Sequence, residues 1–447
     1  MMATWIRHNL GPTIRNSSHS AIKIITLDDQ RFFLPWFVNI VFKHKTTRDY
    51  VDGIAVHWYY DTIFPPSLLK DTHESFPEKF LLATEACRGD KPGEKDVDLG
   101  SWQRGERYAE DIIEDVNNWI TGWVDWNMAL DLKGGPTYIS NFVDSPIIVN
   151  SSANEFYKQP MYYNLGHFSK FVPRGSVRLG STGFDNHIPV AAFRRPDNGT
   201  VVVILNKKEQ VVPITVVDDS RGSAPIELIT ISKYLADVPI SCVKVASLVP
   251  RHVDTLAVPR GTNRVAEECH RRDYGNGGHV CVCTSTQCDT VPRPTSVPRP
   301  NYLTYTSNKA GLRFEKSTGS FIMTDRLFAN KIVVNANDKY QTMMGWDGAF
   351  TDSTGININS LDEQAQDKLL ESYFSDHGIE YNLCRVPIGS TDFSKRAYSY
   401  ADSHADAKLT HFKLAPEDFQ FKVERDQWVG FSVLMGFRFR SSKGRKI

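Results

Sequence analysis

Four short apolar runs, each closing on polar or aromatic residues, mark the first 127 positions of the chain. They are AIKIITLDDQ (21–30), VDGIAVHWYY (51–60), FLLATEAC (80–87) and ITGWVDWN (120–127). Runs this short and apolar read as buried strands. Between the last two, GERYAEDIIEDVNNWITGW places Tyr108, Ile112, Val116 and Trp119 on one helical face. Strands alternating with helical segments predict βα units around a parallel sheet. The strand ends carry Asp28-Asp29-Gln30, His57-Trp58-Tyr59, Glu85 and Asp125-Trp126-Asn127. Parallel strands place their C-termini on one side, so four polar ends in a row predict one functional rim.

After about residue 140 the pattern changes. SPIIVN, VRLGS, PVAAFRR, GTVVVILN and VVPITVVDD are short strands broken by Asn-Gly, Gly and Pro turns, the pattern of an antiparallel β-sandwich. Residues 221–264 have no clear period and read as a linker, and TVPRPTSVPRPNY reads as an extended spacer. Alternating strands follow (GLRFEKS, SFIMTDR, KIVVNAND). Then βα texture returns in YQTMMGWDGAFTDS, a helix through 361–373, and GIEYNLCRVPIGSTDFS. The segment from 421 onward shows no helical cap and no clear period, and ends basic. The expected units are therefore 1–127 barrel-like, 128–220 sandwich and small sheet, 221–264 linker, 265–330 cysteine cluster and β elements, 331–420 barrel-like again, and 421–447 an unrelated tail.

At 447 residues the chain has room for two or three cores. Its formal net charge is zero, so nothing overall favours nucleic acid or an anionic surface. No run reaches transmembrane length. The first residues, MMATWIRHNLGPTIRN, show no apolar core of a secretory signal, so secretion of this product is not expected. Four of the seven cysteines, Cys269, Cys281, Cys283 and Cys288, cluster in CHRRDYGNGGHVCVCTSTQC. Cys-x-Cys fits a zinc site poorly, and no His pair follows. A disulfide cluster fits better, with three connectivities open. Sequons at Asn16, Asn150 and Asn198 suit an exported protein.

LDDQR, GIAVHWY, TEACRGD, LGSWQRGERY, GWVDWNMALDLKGGPTYISNFVDSPII and FYKQPMYYNLGHFSKFVPRGS resemble the C-terminal half of the glucosylceramidases, members of glycoside hydrolase family thirty. CVCTSTQCD, GWDGAFTDS and SYFSDHGIEYNLCRVPIGSTDFSKRAYSYADS resemble the N-terminal part of the same family. The resemblance implies an α/β plus all-β fold: a partial, rearranged (β/α)8 TIM barrel with an antiparallel β-sandwich domain. The C-terminal half would precede the N-terminal part, with strands five to eight, then one and two, present and strands three and four missing. Two truncated tandem copies joined by read-through, or a merged gene model, would give this order; a circular permutation is the runner-up, disfavoured because it would keep every part.

The family implies retaining hydrolysis of the β-glucosyl bond of glucosylceramide, which needs a nucleophilic carboxylate and a proton-donating carboxyl on opposite sides of the bond. Glu85, in Thr84-Glu85-Ala86-Cys87, matches the family's nucleophile. Its acid/base lies in an Asn-Glu-Pro motif that does not occur here; Asn154-Glu155 is the only Asn-Glu pair. The chain is therefore expected to be impaired. Asp392 and Phe393 resemble a sugar-hydroxyl acceptor and its aromatic neighbour. Trp126 and Asn141 resemble sugar-pocket residues, His57 and Tyr59 the rim beside the nucleophile, and Arg385 an arginine supporting the carboxylates. By the resemblance the bridges are Cys269–Cys281 and Cys283–Cys288, and Cys87 is a buried thiol. No metal or cofactor is expected. The partners implied are glucosylceramide or a related β-glucoside, a membrane-surface lipid and a saposin-type activator, in the lysosome. The competing reading is a non-catalytic glycan- or lipid-binding relative that keeps Asp392, Trp126 and Asn141 as a pocket.

Overall fold

The computed structural model describes residues 1–183, 185–218, 227–230, 242–248, 267–291, 294, 297–298, 301–320, 322–323, 330–404, 406, 408–423 and 432–436. The apolar runs become a parallel sheet of β1 (Ile25–Gln30), β2 (Gly53–His57), β3 (Phe80–Glu85), β4 (Ile120–Asp125) and β20 (Gly345–Gly348), in that order. β21 (Leu383–Pro387) follows β20 through a parallel bridge between Ala349 and Arg385. It pairs in parallel with β22 (Ser432–Gly436). Ile54, Ala55, Val56, Leu81, Leu82 and Ala83 are all buried, as expected of parallel strands covered on both faces. The helix Trp102–Asn117 buries Tyr108, Ile112 and Val116, and Tyr108 packs edge-on against Trp58 and Trp123, each at 5.1 Å. Each such aliphatic side chain stabilises the fold by about 1.5–3 kcal/mol on burial. Trp119 falls beyond the helix end, at φ 76°, and stacks on His73.

A second sheet holds ten strands in the order β17-β16-β13-β10-β9-β8-β19-β11-β12-β18. They are β8 (Val177–Thr182), β9 (Val190–Arg194), β10 (Thr200–Asn206), β11 (Thr215–Asp218), β12 (Glu227–Thr230), β13 (Cys242–Leu248), β16 (Asn301–Asn308), β17 (Glu315–Ser320), β18 (Ile322–Met323) and β19 (Lys331–Thr342). All pairings are antiparallel except β11 with β19. The period of two sorts its residues. Phe193, Val201, Val203, Leu205, Leu303 and Tyr305 join the core shared with the barrel, while Ala192, Val202, Ile204 and Tyr302 face a separate core with Ile332 and Val334. A third sheet, β14-β15-β7-β6-β5, joins β5 (Ala129–Asp131), β6 (Ile147–Asn150) and β7 (Glu155–Lys158) to β14 (Arg271–Asp273) and β15 (His279–Cys283). Disulfides bond Cys269 to Cys281 and Cys283 to Cys288 there.

Three expected units change. The linker at 221–264 contains β12 and β13, and β13 pairs on both edges, with β10 and β16. Its Val243 and Val245 alternate with Lys244 and Ala246, a strand signal too short to stand out beside an aperiodic neighbourhood. The stretch 331–342, expected to open the second barrel segment, is instead β19 of the sandwich sheet, antiparallel to β8. The tail from 421 is not wholly separate, because β22 extends the parallel strands beyond β21. The residues of 437–447 lie outside those described. The helix expected at 361–373 runs Glu363–Phe374, its N-terminus capped by the Asp362 side chain accepting from the Ala365 N–H. Among the described residues no helix is long and apolar enough to cross a membrane.

Candidate active site

The strand ends at 30, 57 and 85, Trp126 just past β4, and the start of the loop after β21 open onto one cavity of about 440 Å³. Its walls include Glu85, His57, Tyr59, Arg385, Trp126, Asn141 and Asp392. Three of these positions lie in β2, β3 and β21, and Tyr59, Trp126 and Asp392 follow β2, β4 and β21, whose parallel direction puts their C-terminal ends on one side; Asn141 comes from the loop between 131 and 147.

Glu85 is the last residue of β3, and its two oxygens are held separately. The Tyr59 hydroxyl donates to Oε1 at 3.1 Å, and His57 Nδ1 lies 3.6 Å from the same atom. Arg385 Nη1 donates to Oε2 at 3.0 Å and to the Thr84 carbonyl at 2.7 Å. The other arm of the Arg385 fork donates to Asp28 Oδ2 at 3.2 Å. Asp28 Oδ1 accepts from the Thr84 hydroxyl at 2.8 Å and lies 3.2 Å from His57 Nε2. Burial would raise Asp28, but the Arg385 charge and the His57 and Thr84 bonds hold its carboxyl well below the usual carboxylate range. Burial would lower Arg385, and the charges of Asp28 and Glu85 raise it instead. The backbone is shaped for this. Leu27 and Asp28 have φ of 76° and 53°, and a bulge between Leu27 and Asp29 shifts the register with β2. A bulky residue at positive φ costs about 1–3 kcal/mol. Bulges of this kind re-aim a side chain, and here the Asp28 side chain points at Arg385.

The rest of the wall is aromatic and amide. The Arg385 guanidinium lies over the Trp126 ring at 4.8 Å. Trp126 meets Phe393 edge-on at 6.2 Å. Phe393 is fully buried, so it supports the Trp rather than facing the cavity. Asn141 Nδ2 donates to Asp392 Oδ2 at 2.8 Å, across 251 positions of sequence. The Cys87 thiol is buried 3.4 Å from the Tyr59 hydroxyl, and burial pushes both groups well above their ordinary values. Such an arrangement offers a carboxylate fixed by two donors, an apolar face for a ring, and a carboxylate able to accept from hydroxyls.

Glu155 lies elsewhere. It starts β7 in the small sheet and forms a bidentate pair with Arg272 at 2.8 and 3.1 Å, which holds its carboxyl below the ordinary value.

The model for the glycosyl hydrolase family 30 TIM-barrel domain matches residues 2–172 and 343–428, more than half of the sequence. The chain belongs to glycosyl hydrolase family 30. The beta sandwich domain of family 30 matches residues 175–232. Lysosomal acid glucosylceramidase of Mus musculus is 47% identical over 220 residues, 49% of this chain and 42% of that protein. Putative glucosylceramidase 4 of Caenorhabditis elegans is 47% identical over 212 residues, 47% of this chain and 41% of that protein. The chain thus spans about two fifths of the length of these relatives. Among solved structures, SrfJ from Salmonella typhimurium is similar with a TM-score of 0.45 at 25% identity, over 48% of this chain and 47% of that one. The family 30 barrel match extends past the expected boundary at 127. The added stretch includes the helix Pro160–Ser169, whose residues are all buried.

Asp28 is the site residue that sequence reasoning passed over. It was visible only as one of several polar strand ends, because its partner Arg385 lies 357 positions away.

Proposed function

We propose that this chain is a retaining β-glucosidase of the glucosylceramidase type, with Glu85 as nucleophile. The observation that carries the reading is Glu85 itself: a barrel-strand carboxylate with one oxygen bound by Tyr59 and the other by Arg385, facing a cavity that Trp126 and the Asn141–Asp392 pair also line. Two donors fix the carboxylate's direction, which suits attack on an anomeric carbon. Trp126 offers a face to the sugar ring, Asp392 accepts from its hydroxyls, and His57 and Arg385 keep the carboxylates in place. The substrate class is glucosylceramide or a related β-glucoside, met at a lipid surface with a saposin-type activator in the lysosome. The name and identity of the mouse relative support the substrate class and the lysosome, while the lipid surface and the activator rest on the family resemblance alone. The segment order, with a barrel's C-terminal half preceding its N-terminal part, is supported by β20 docking beside β4.

The same reading makes the chain slow on substrates whose leaving group needs a proton. Asn-Glu-Pro is absent, and the only Asn-Glu carboxylate is tied to Arg272 outside the cavity. General acid assistance is worth about 10²–10⁴-fold. Dinitrophenyl β-glucoside needs no such assistance. It is expected to give a burst of dinitrophenol equal to the enzyme present, and Glu85→Gln is expected to abolish the burst. A burst that survives Glu85→Gln, or none from the native chain, removes Glu85 from the role.

A further inference from the structure

Five carboxyl groups line the cavity: Asp28, Asp29, Glu85, Asp90 and Asp392. Four have evident occupations. Asp28 and Glu85 share Arg385, Asp392 accepts from Asn141, and Asp29 accepts from the Gln30 N–H at the exposed edge. Asp90, on the loop five positions beyond Glu85, has no ion pair among the described residues. The nearest cations are on its own loop, and Arg88 is engaged with Glu94 at 2.8 Å. Tyr59 and Cys87 line the same cavity, and both feel the Asp90 charge. Burial pushes the Asp90 carboxyl above its ordinary value, with Glu94 adding to the push and Arg88 and Lys91 opposing it. Asp125 and Asp347 are raised by burial too, but they are wholly buried and absent from the cavity wall.

We propose that Asp90 is the proton donor and acceptor of this cavity, standing in for the acid/base that the sequence lacks. The proposal rests on the glycosidase reading above. In the first step the Glu85 oxygen bonds to the anomeric carbon while the bond to the leaving oxygen breaks. That oxygen takes the Asp90 proton, leaving Asp90 a carboxylate. In the second step water attacks the anomeric carbon and gives its proton to Asp90, and the Glu85 ester bond breaks. Both residues return to their starting state and nothing else is consumed. The loop position is makeshift compared with a strand end, because its geometry is held less tightly. Slow but real turnover is therefore the expected behaviour of the native chain.

The test uses the full chain with dinitrophenyl β-glucoside, reading burst and steady phase in one trace. The burst counts working Glu85 sites, so its absence in the native chain defeats the glycosidase reading and this proposal together. Given a burst, the steady rate per burst equivalent reports the second step. Asp90→Asn is expected to lower that ratio at least tenfold, with added azide restoring it and β-glucosyl azide as product. Asp90→Glu is expected to keep part of the rate and to shift the limb of the pH profile on which the rate rises. An Asn variant with an unchanged ratio, or a lowered ratio that azide does not restore, overturns the role of Asp90 while leaving Glu85 in place. Should the Asn variant give no burst, the Glu variant decides: an unmoved pH limb overturns the proposal.

Discussion

Two charge clusters in the same barrel treat their carboxyls in opposite ways. At the rim, the fork of Arg385 is divided between Asp28 and Glu85, with His57 alongside, and Asp28 is held well below the carboxylate range. Between the segments that follow β1 and β2 and the helix Trp102–Asn117, Arg31 binds Asp61, Glu114 and Asp115 at 2.6, 2.8 and 2.7 Å, and Arg107 binds Asp111 at 3.2 Å. There three carboxyls share the one guanidinium of Arg31, against two on Arg385. Burial and the charge of Asp111 push Asp61 up to about 8 against the pull of Arg31. Burial pushes Asp111 up as well, and Asp115 well above its ordinary value. The residue types are the same, and the outcome follows from how many carboxyls share each cation and how deeply they are buried. The less crowded cluster keeps a carboxylate charged, as Asp28 is beside the proposed nucleophile. An overloaded one stores protons and serves the fold.

The largest expected effect comes from removing the rim cation. Arg385→Met leaves Asp28 and Glu85 facing each other without compensation, and breaking a buried pair this way costs about 3–5 kcal/mol. Urea denaturation should show that loss, and the dinitrophenol burst should disappear. A denaturation midpoint equal to the native one would show that Arg385 does not hold the cluster. A smaller effect follows from Tyr59→Phe, which leaves Glu85 Oε1 with His57 alone. A hydrogen bond to a charged group is worth about 1.5–3 kcal/mol, so the burst rate should fall by roughly tenfold to a hundredfold. An unaltered burst rate would mean that the bond does not orient the nucleophile.

The smallest effect, per pH unit, belongs to the Arg31 cluster. Asp61 has its folded value raised above the unfolded 3.8 to about 8. Its stabilising contribution is complete below pH 3.8 and is lost as pH rises toward 8. Asp28 has the opposite sign: its contribution is present above its unfolded value and lost as pH falls through its depressed one. Stability should therefore decline from mildly acidic toward neutral pH, with a slope of up to about 1.4 kcal/mol per pH unit from one carboxyl. Asp61→Asn should flatten that decline in denaturation series run across the window. A slope that is the same in the variant would assign the pH dependence to other groups.

The two clusters also differ in how readily the sequence discloses them. Glu85 and His57 end apolar runs, so their place at a rim follows from local pattern, and the family motifs add their expected roles. The helix carrying Asp111, Glu114 and Asp115 is equally legible from Tyr108, Ile112 and Val116, yet nothing in the local pattern singles out its acidic positions. Nothing nearby shows that Arg31, 84 positions before Asp115, is buried among them. Asp28 was hidden for a related reason: its direction depends on a bulge and two residues at positive φ, which composition does not encode. β13 and β19 have a place in the sheet that depends on partners far along the chain, which local alternation does not specify. Pairing across long sequence separation is what local pattern leaves out.

The central claim is that Glu85 is the nucleophile of a working sugar site. It is tested most directly by incubating the full chain with a deoxyfluoro dinitrophenyl β-glucoside, which forms the glycosyl-enzyme and leaves it slowly, and then mapping the adduct by peptide mass spectrometry. The account expects one fluoroglucosyl group per chain, carried on Glu85. A chain that takes up no label, or one labelled at Asp28, Asp90 or Asp392 instead, would contradict it.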